Sequence, residues 1–137
     1  MMAAAHDEIE RGQSLVEFAL ISTLLFTIIF GIFEFGRAFY AYSAVVNAAS
    51  EGARFGIIDP NNTACIKNVA VSHMVALNVL TNTVSVACPS GCTFGQPISV
   101  TVVYTFTAVT PYVPSFQMAG SSSMNIMHVP SSLGTCP

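Results

Sequence analysis

Charge is what this sequence has least of. Only 8% of its 137 residues are Asp, Glu, Lys or Arg, against roughly a quarter in an ordinary soluble domain. The shortage is also segregated. All seven acidic and four basic residues lie at or before Lys67, and positions 68–137 carry no formal charge. A stretch that long without charge has little colloidal self-repulsion. It suits a chain packed against copies of itself, glycosylated, or both. Trp is absent, and the net charge of −3 comes with no basic cluster, which excludes nucleic acid as a partner.

Catalytic equipment is missing too. Beyond residue 57 the titratable side chains are Asp59, Lys67, His73, His128, four Cys and two Tyr. They supply no carboxylate pair, and the segment has no Gly-rich phosphate loop; only Asp59 is available to orient a His. His73 falls on the apolar face of a predicted helix, the position of a core histidine, and His128 beside Pro130 reads as a surface residue. The expectation is a protein that is not an enzyme and needs no cofactor.

What is present in quantity is apolar sequence, 53% of the chain. Phe18 to Phe33 reads FALISTLLFTIIFGIF, with nothing more polar than Ser or Thr. With Leu15, Val16 and Phe35 it reaches the roughly 20 residues that cross a bilayer core as a helix. Glu17 interrupts it at the entry and Glu34 at the exit. A carboxylate within such a helix costs roughly 2.5–3.5 kcal/mol at the bilayer centre and less near the interface. Glu17 sits near the entry, where a headgroup-level carboxylate favoured by the helix N-terminus is the plain reading.

The helical period continues past the apolar run. Ala38, Tyr42, Val45, Ala49, Ala53 and Gly56 form a stripe one face wide, while Asn47, Ser50, Glu51 and Arg54 fall off it. Glu51 and Arg54 stand at helix-pair spacing. Asp59-Pro60-Asn61-Asn62 breaks the helix. A helix from Gln13 to Ile57 would be on the order of 65 Å long, about twice a bilayer core.

Asn62 or Thr63 then caps a second helix through Leu80, with Ile66, Val69, Ala70, His73, Met74, Leu77 and Leu80 on its apolar face. Beyond it the period changes to two. Residues 83–88, 98–106 and 122–129 alternate as strands. Pro89-Ser90-Gly91 and Gly95-Gln96-Pro97 mark a long hairpin loop, and residues 110–120 read as a Pro-interrupted loop. The expected fold is α+β: one long N-terminal helix, a second helix and a small three-stranded antiparallel sheet. Its expected parts are an N-terminal segment 1–12, the long helix 13–57 and an external domain 58–137.

Cys65, Cys88, Cys92 and Cys136 all follow the apolar helix. An even count on one side of a membrane-length segment reads as disulfides formed in an oxidising compartment. Zinc, with His73 or His128 completing a thiolate set, is the rival. Cys88-Pro-Ser-Gly-Cys92 is not the usual two-residue knuckle and has no second closely spaced pair. Three pairings are open, with Cys88–Cys92 and Cys65–Cys136 preferred. Asn61-Asn62-Thr63 matches an N-glycosylation acceptor in an exposed turn, and a plain capped turn is the alternative.

Gly12, four residues, then Glu17-Phe18 and a helix-length apolar run resembles a type IV pilin processing site. Three blocks narrow the likeness: Gly12-Gln13-Ser14-Leu15-Val16-Glu17-Phe18-Ala19-Leu20, then Gly31-Ile32-Phe33-Glu34-Phe35-Gly36-Arg37, then Asn47-Ala48-Ala49-Ser50-Glu51-Gly52-Ala53-Arg54. Over residues 11–57 the sequence resembles the TadE branch of the Flp/Tad pilus system, the third block most specifically.

That resemblance implies a membrane-inserted pilin or pseudopilin cut after Gly12 by a prepilin peptidase, so that Gln13 becomes the N-terminus. Glu17 would then pair with the Gln13 amine of a neighbouring subunit and set the axial register. Gly31 and Gly36 would permit close helix approach. The implied partners are the inner membrane, Tad-type secretion machinery and copies of the chain in a helical filament on the cell surface. Asp7, Glu8 and Glu10 beside Arg11 make the leader more acidic than the positive-inside rule favours. A chain that keeps its leader has no amine at Gln13, and Arg11 of a neighbour is then the expected partner of Glu17. Competing readings are a minor pseudopilin, a membrane-anchored protein that never polymerises, and a secreted protein cut near Ala41-Tyr42-Ser43.

Overall fold

The absence of proline before Pro60, together with a run of Ala, Leu, Ile and Phe, leaves nothing to interrupt a helix in the first third of the chain. The structure, a computed structural model, describes residues 2–74, 77, 83–110, 113–130 and 136, with residues 2–11 as backbone only. Helix α1 spans Met2–Gly56, α2 spans Thr63–Ser72, and strands β1, β2 and β3 span Val84–Ala87, Pro97–Phe106 and Phe116–Asn125. The α+β class and the three-stranded antiparallel sheet are those expected from the sequence. The helix starts earlier than expected, continuing through residues 2–12, because that segment's Ala and Glu residues favour helix and one interior glycine costs only about 1 kcal/mol.

Two compact units divide the chain between Arg37 and Ala38, within α1. In the first, residues 12–37, the apolar side chains are almost all exposed.

In the second unit, the small side chains Ala41, Val45, Ala48, Ala49 and Ala53 of α1 are buried with Ile66 and Ala70 of α2 and Ile98, Val100, Val102 and Phe106 of β2. Burying each of the larger aliphatic chains is worth about 1.5–3 kcal/mol. The anticipated stripe is shifted at one position: Tyr42 is 50% exposed and Ala41 takes its place. A phenol ring would hold the helix off a sheet that it approaches through alanine and glycine. Gly52 shows how close that approach is, since an added Cβ would lie 3.1 Å from Val100 Cγ1 and 3.2 Å from Ala70 Cβ.

The last carbonyls of α1 are satisfied as the helix ends: Ile57 N–H donates to Ala53 O, and Phe55 O accepts from both Ile58 N–H, in a tightened i→i−3 turn, and Asp59 N–H. Asn62 then caps α2, its Oδ1 accepting from Cys65 N–H at 3.2 Å. This helix is shorter than the spacing predicts. It stops at Ser72, with His73 as C-cap, and the 3.6-residue period lapses there. Met74 is buried and Leu77 half-buried. His73 is exposed, which corrects its reading as a core histidine. Leu80 lies outside the described residues.

The strands run β1-β2-β3 with both pairings antiparallel. Strand β3 begins six positions before the predicted start of 122 and ends at Asn125, with Phe106 opposite Phe116 and Pro97 opposite Asn125. Its Ala119-Gly120-Ser121-Ser122-Ser123 sequence hides the alternation. Met118 and Gly120 are nevertheless buried on the helix side, while Gln117, Ala119, Ser121 and Ser123 are exposed on the other. An added Cβ at Gly120 would sit 2.9 Å from Val46 Cα and N. The strand therefore needs glycine where α1 crosses it. After Asn125 the chain leaves the sheet: Ile126 N–H donates to Gln96 O, and Met127 and His128 N–H both donate to Ile57 O.

Candidate functional site

The stretch with most functional promise is the apolar part of α1. From Gly12 onward the helix is long and apolar enough to cross a membrane, and none of its most apolar window is buried by the described residues. Leu15 and Phe18 are each 70% exposed, and Leu24, Ile28, Phe30, Ile32 and Phe35 are also exposed. The polar residues among them meet their needs locally. Ser22 Oγ and Thr23 Oγ1 donate to Ala19 O at 3.0 and 2.8 Å, and Thr27 Oγ1 donates to Thr23 O at 2.8 Å. These hydroxyls add little cost to an apolar environment because their protons are already used.

Charge is placed at the two ends. Glu17 is exposed near the start. Arg37 lies 20 residues further on, about 30 Å along a helix, so it cannot answer Glu17 within one chain. The side chain of Arg11, the expected partner in an uncut chain, lies outside the described residues. At the exit, Arg37 Nη1 donates to both carboxylate oxygens of Glu34, at 3.2 and 3.1 Å, and Glu34 is only 9% exposed. This i,i+3 pair neutralises the second carboxylate. Glu51 and Arg54 make the anticipated pair at 3.2 Å, more open to solvent and so of smaller effect.

The glycines fall into two groups. An added Cβ at Gly12, Gly31 or Gly36 would meet nothing within 4 Å. No contact among the described residues explains those three. Gly52 is used within the chain, where it packs against α2 and β2.

Disulfides join Cys65 to Cys136, 71 positions apart with Cα atoms 5.2 Å apart, and Cys88 to Cys92, four positions apart at 5.3 Å. The sulfur atoms that a zinc site would require are therefore bonded to one another. The second disulfide closes the β1–β2 loop, which turns through Gly91 at φ +90° and Gly95 at φ +79°. Asn61 is exposed on the turn before α2 and Thr63 is exposed at the first position of that helix, while Asn62 is occupied as cap. His128 is exposed.

The residue that sequence reasoning missed is Gly120, where strand and helix backbones meet. A glycine inside a Ser-rich run reads as loop, and only the Met118 and Met124 flanks hinted at a strand.

Among the described residues one membrane-length helix precedes a disulfide-bonded α+β unit, which defines the class: a protein suited to membrane anchoring through its N-terminal helix. Residues 12–54 match the family model described as TadE-like protein, so the likeness covers the greater part of α1 and not the α2–sheet unit. The match begins at Gly12 and ends two residues before the C-terminus of α1. No curated protein and no solved structure matches the chain.

Proposed function

We propose that this protein is a structural subunit of an extracellular pilus-like filament, assembled through a bundle of N-terminal helices and used for surface attachment. The observation that carries the reading is the bare apolar surface of residues 15–35, which none of the described residues covers. Before assembly lipid covers it, and in a filament the same segment of neighbouring copies replaces lipid. Gly31 and Gly36, with open space around them, allow helices of different subunits to approach closely. Cleavage after Gly12 by a prepilin peptidase frees the Gln13 amine, and Glu17 of a neighbour takes it as counter-ion. The pair fixes axial register more than it adds stability. The chain passes from the inner membrane, through Tad-type secretion machinery, to the cell surface. Oxidised cysteines suit that destination, and sugar at Asn61 would help hydrate it.

Processing is directly testable. Co-expressed with a prepilin peptidase, the chain is expected to begin at Gln13, whereas Gly12→Val is expected to keep residues 1–12. Identical N-termini in the two proteins would remove cleavage from the proposal. The exposed helix equally supports a second reading, a minor pseudopilin or membrane-anchored protein that never forms the bulk of a filament. In that case the chain stays in the membrane fraction and is a trace component of anything sheared from cells.

A further inference from the structure

We infer that one end of the sheet domain, made by the β2–β3 connection and the aromatic residues that follow the apolar run of α1, lies in the headgroup layer of the membrane. The packing fixes which end this is. On α1, Gly56 comes against Ile98 and Gly52 against Val100, whereas Ala41 clusters with Phe106 and Met118. Strand β2 therefore runs back along α1, from its C-terminal end towards Ala41. Since Phe106 pairs with Phe116, the connection between them turns at the Ala41 end of the domain. That is the end at which the chain arrives from its apolar run.

Lengths set the depth. Leu15 to Phe35 rises about 30 Å as a helix, the thickness of a hydrocarbon core. Six helical residues then separate Phe35 from Ala41, a rise of about 9 Å, while the headgroup layer on each side is about 5–8 Å deep. Val109 comes three residues after Phe106, a reach of about 10 Å in extended chain. The connection is thus long enough to return to the level of the headgroups.

The side chains suit that layer. The aliphatic run gives way to Phe39, Tyr40 and Tyr42, all exposed, and the connection exposes Val109, Val113 and Phe116. Aromatic rings with a polar tip gather at membrane interfaces. Val113 N–H donates to Thr110 O, and other loop backbone groups find in the headgroup layer the water that hydrocarbon lacks. The charged residues of the domain, Glu51, Arg54, Asp59 and Lys67, all come later in the chain than residues 38–50, which have none. Lipid is the occupant selected, because these apolar groups begin where a membrane-length helix ends and lie within reach of the same interface. The inference rests on membrane insertion of α1 before assembly, and does not require that filaments form.

The chain has no tryptophan, so a single one reports only its own surroundings. The test places full-length Val109→Trp and Phe116→Trp in phosphatidylcholine vesicles whose acyl chains are brominated near the glycerol end. Phe33→Trp in the apolar run and Phe94→Trp, exposed in the β1–β2 loop at the other end of the sheet, are the references. Quenching at 109 and 116 is expected to exceed that at 94 about threefold, because a ring at the acyl boundary meets bromine and a ring in water does not. Quenching no stronger than at 94, with Phe33→Trp quenched, would overturn the inference and leave the membrane-spanning helix in place. Blue-shifted emission at 109 and 116 without quenching would also overturn it, since protein and not lipid would then cover this end. An unquenched Phe33→Trp would instead overturn the insertion of α1.

Discussion

Individual glycines separate what the chain needs to fold from what it needs to meet other chains. At Gly120 the obstacle to a side chain is the α1 backbone at 2.9–3.0 Å, which cannot swing aside. Gly120→Ala is therefore expected to lose about 1–3 kcal/mol, read by denaturant titration of the detergent-solubilised protein. At Gly56 the obstacle is Ile98 Cδ1 at 2.8 Å, the tip of a flexible chain, so Gly56→Ala should lose clearly less. A larger loss at Gly56 than at Gly120 would mean that the helix–strand approach has been misread. Gly31→Ala and Gly36→Ala meet no obstacle. They are expected to leave the stability of the sheet domain unchanged or raise helix stability by up to about 1 kcal/mol, while reducing assembly. Glu17→Gln belongs with them: it should unfold like the parent protein and assemble poorly.

Elements show how much of the molecule could be read in advance. Helix α1 was legible because its apolar run, its lack of proline and the Asp59-Pro60 break all agree. The Asn62 cap was legible for the same reason, and Asn62→Ala should lower domain stability by about 1 kcal/mol; no measurable change would argue against the cap. Elements held by tertiary contacts were less legible. The loss of helical period after Ser72 exposed His73, and β3 carries serine where an alternating pattern would show apolar residues. Its pairing comes from β2 and from the approach of α1 at Gly120, neither of which a local pattern reports. Of the candidate site, the motif blocks were visible in sequence, whereas the intramolecular use of Gly52 was not. The disulfides divide by loop length. Closing 71 positions restricts the unfolded chain more than closing four. Replacing Cys65 and Cys136 by Ser should thus lose about 4 kcal/mol, and replacing Cys88 and Cys92 about 2 kcal/mol. Calorimetry giving the reverse order would contradict that ranking.

For the molecule as a whole, the distribution of polarity is the unifying fact. Every formal charge lies in the first 67 residues. Among the described side chains, carboxylates on the long helix are either paired locally, as Glu34 is with Arg37, or left at the surface, as Glu17 is. The remaining 70 residues present hydroxyls, amides and apolar groups. Such a chain has few ways to repel its copies and a long apolar surface to share with them, which is the physical basis of the filament reading. The most direct test is to shear surface material from cells making this protein, image it, and determine its principal component and that component's N-terminal residue. Filaments built mainly of this chain and beginning at Gln13 are the expected result. Sheared material free of the chain, with monomers confined to the membrane fraction, would contradict the filament reading.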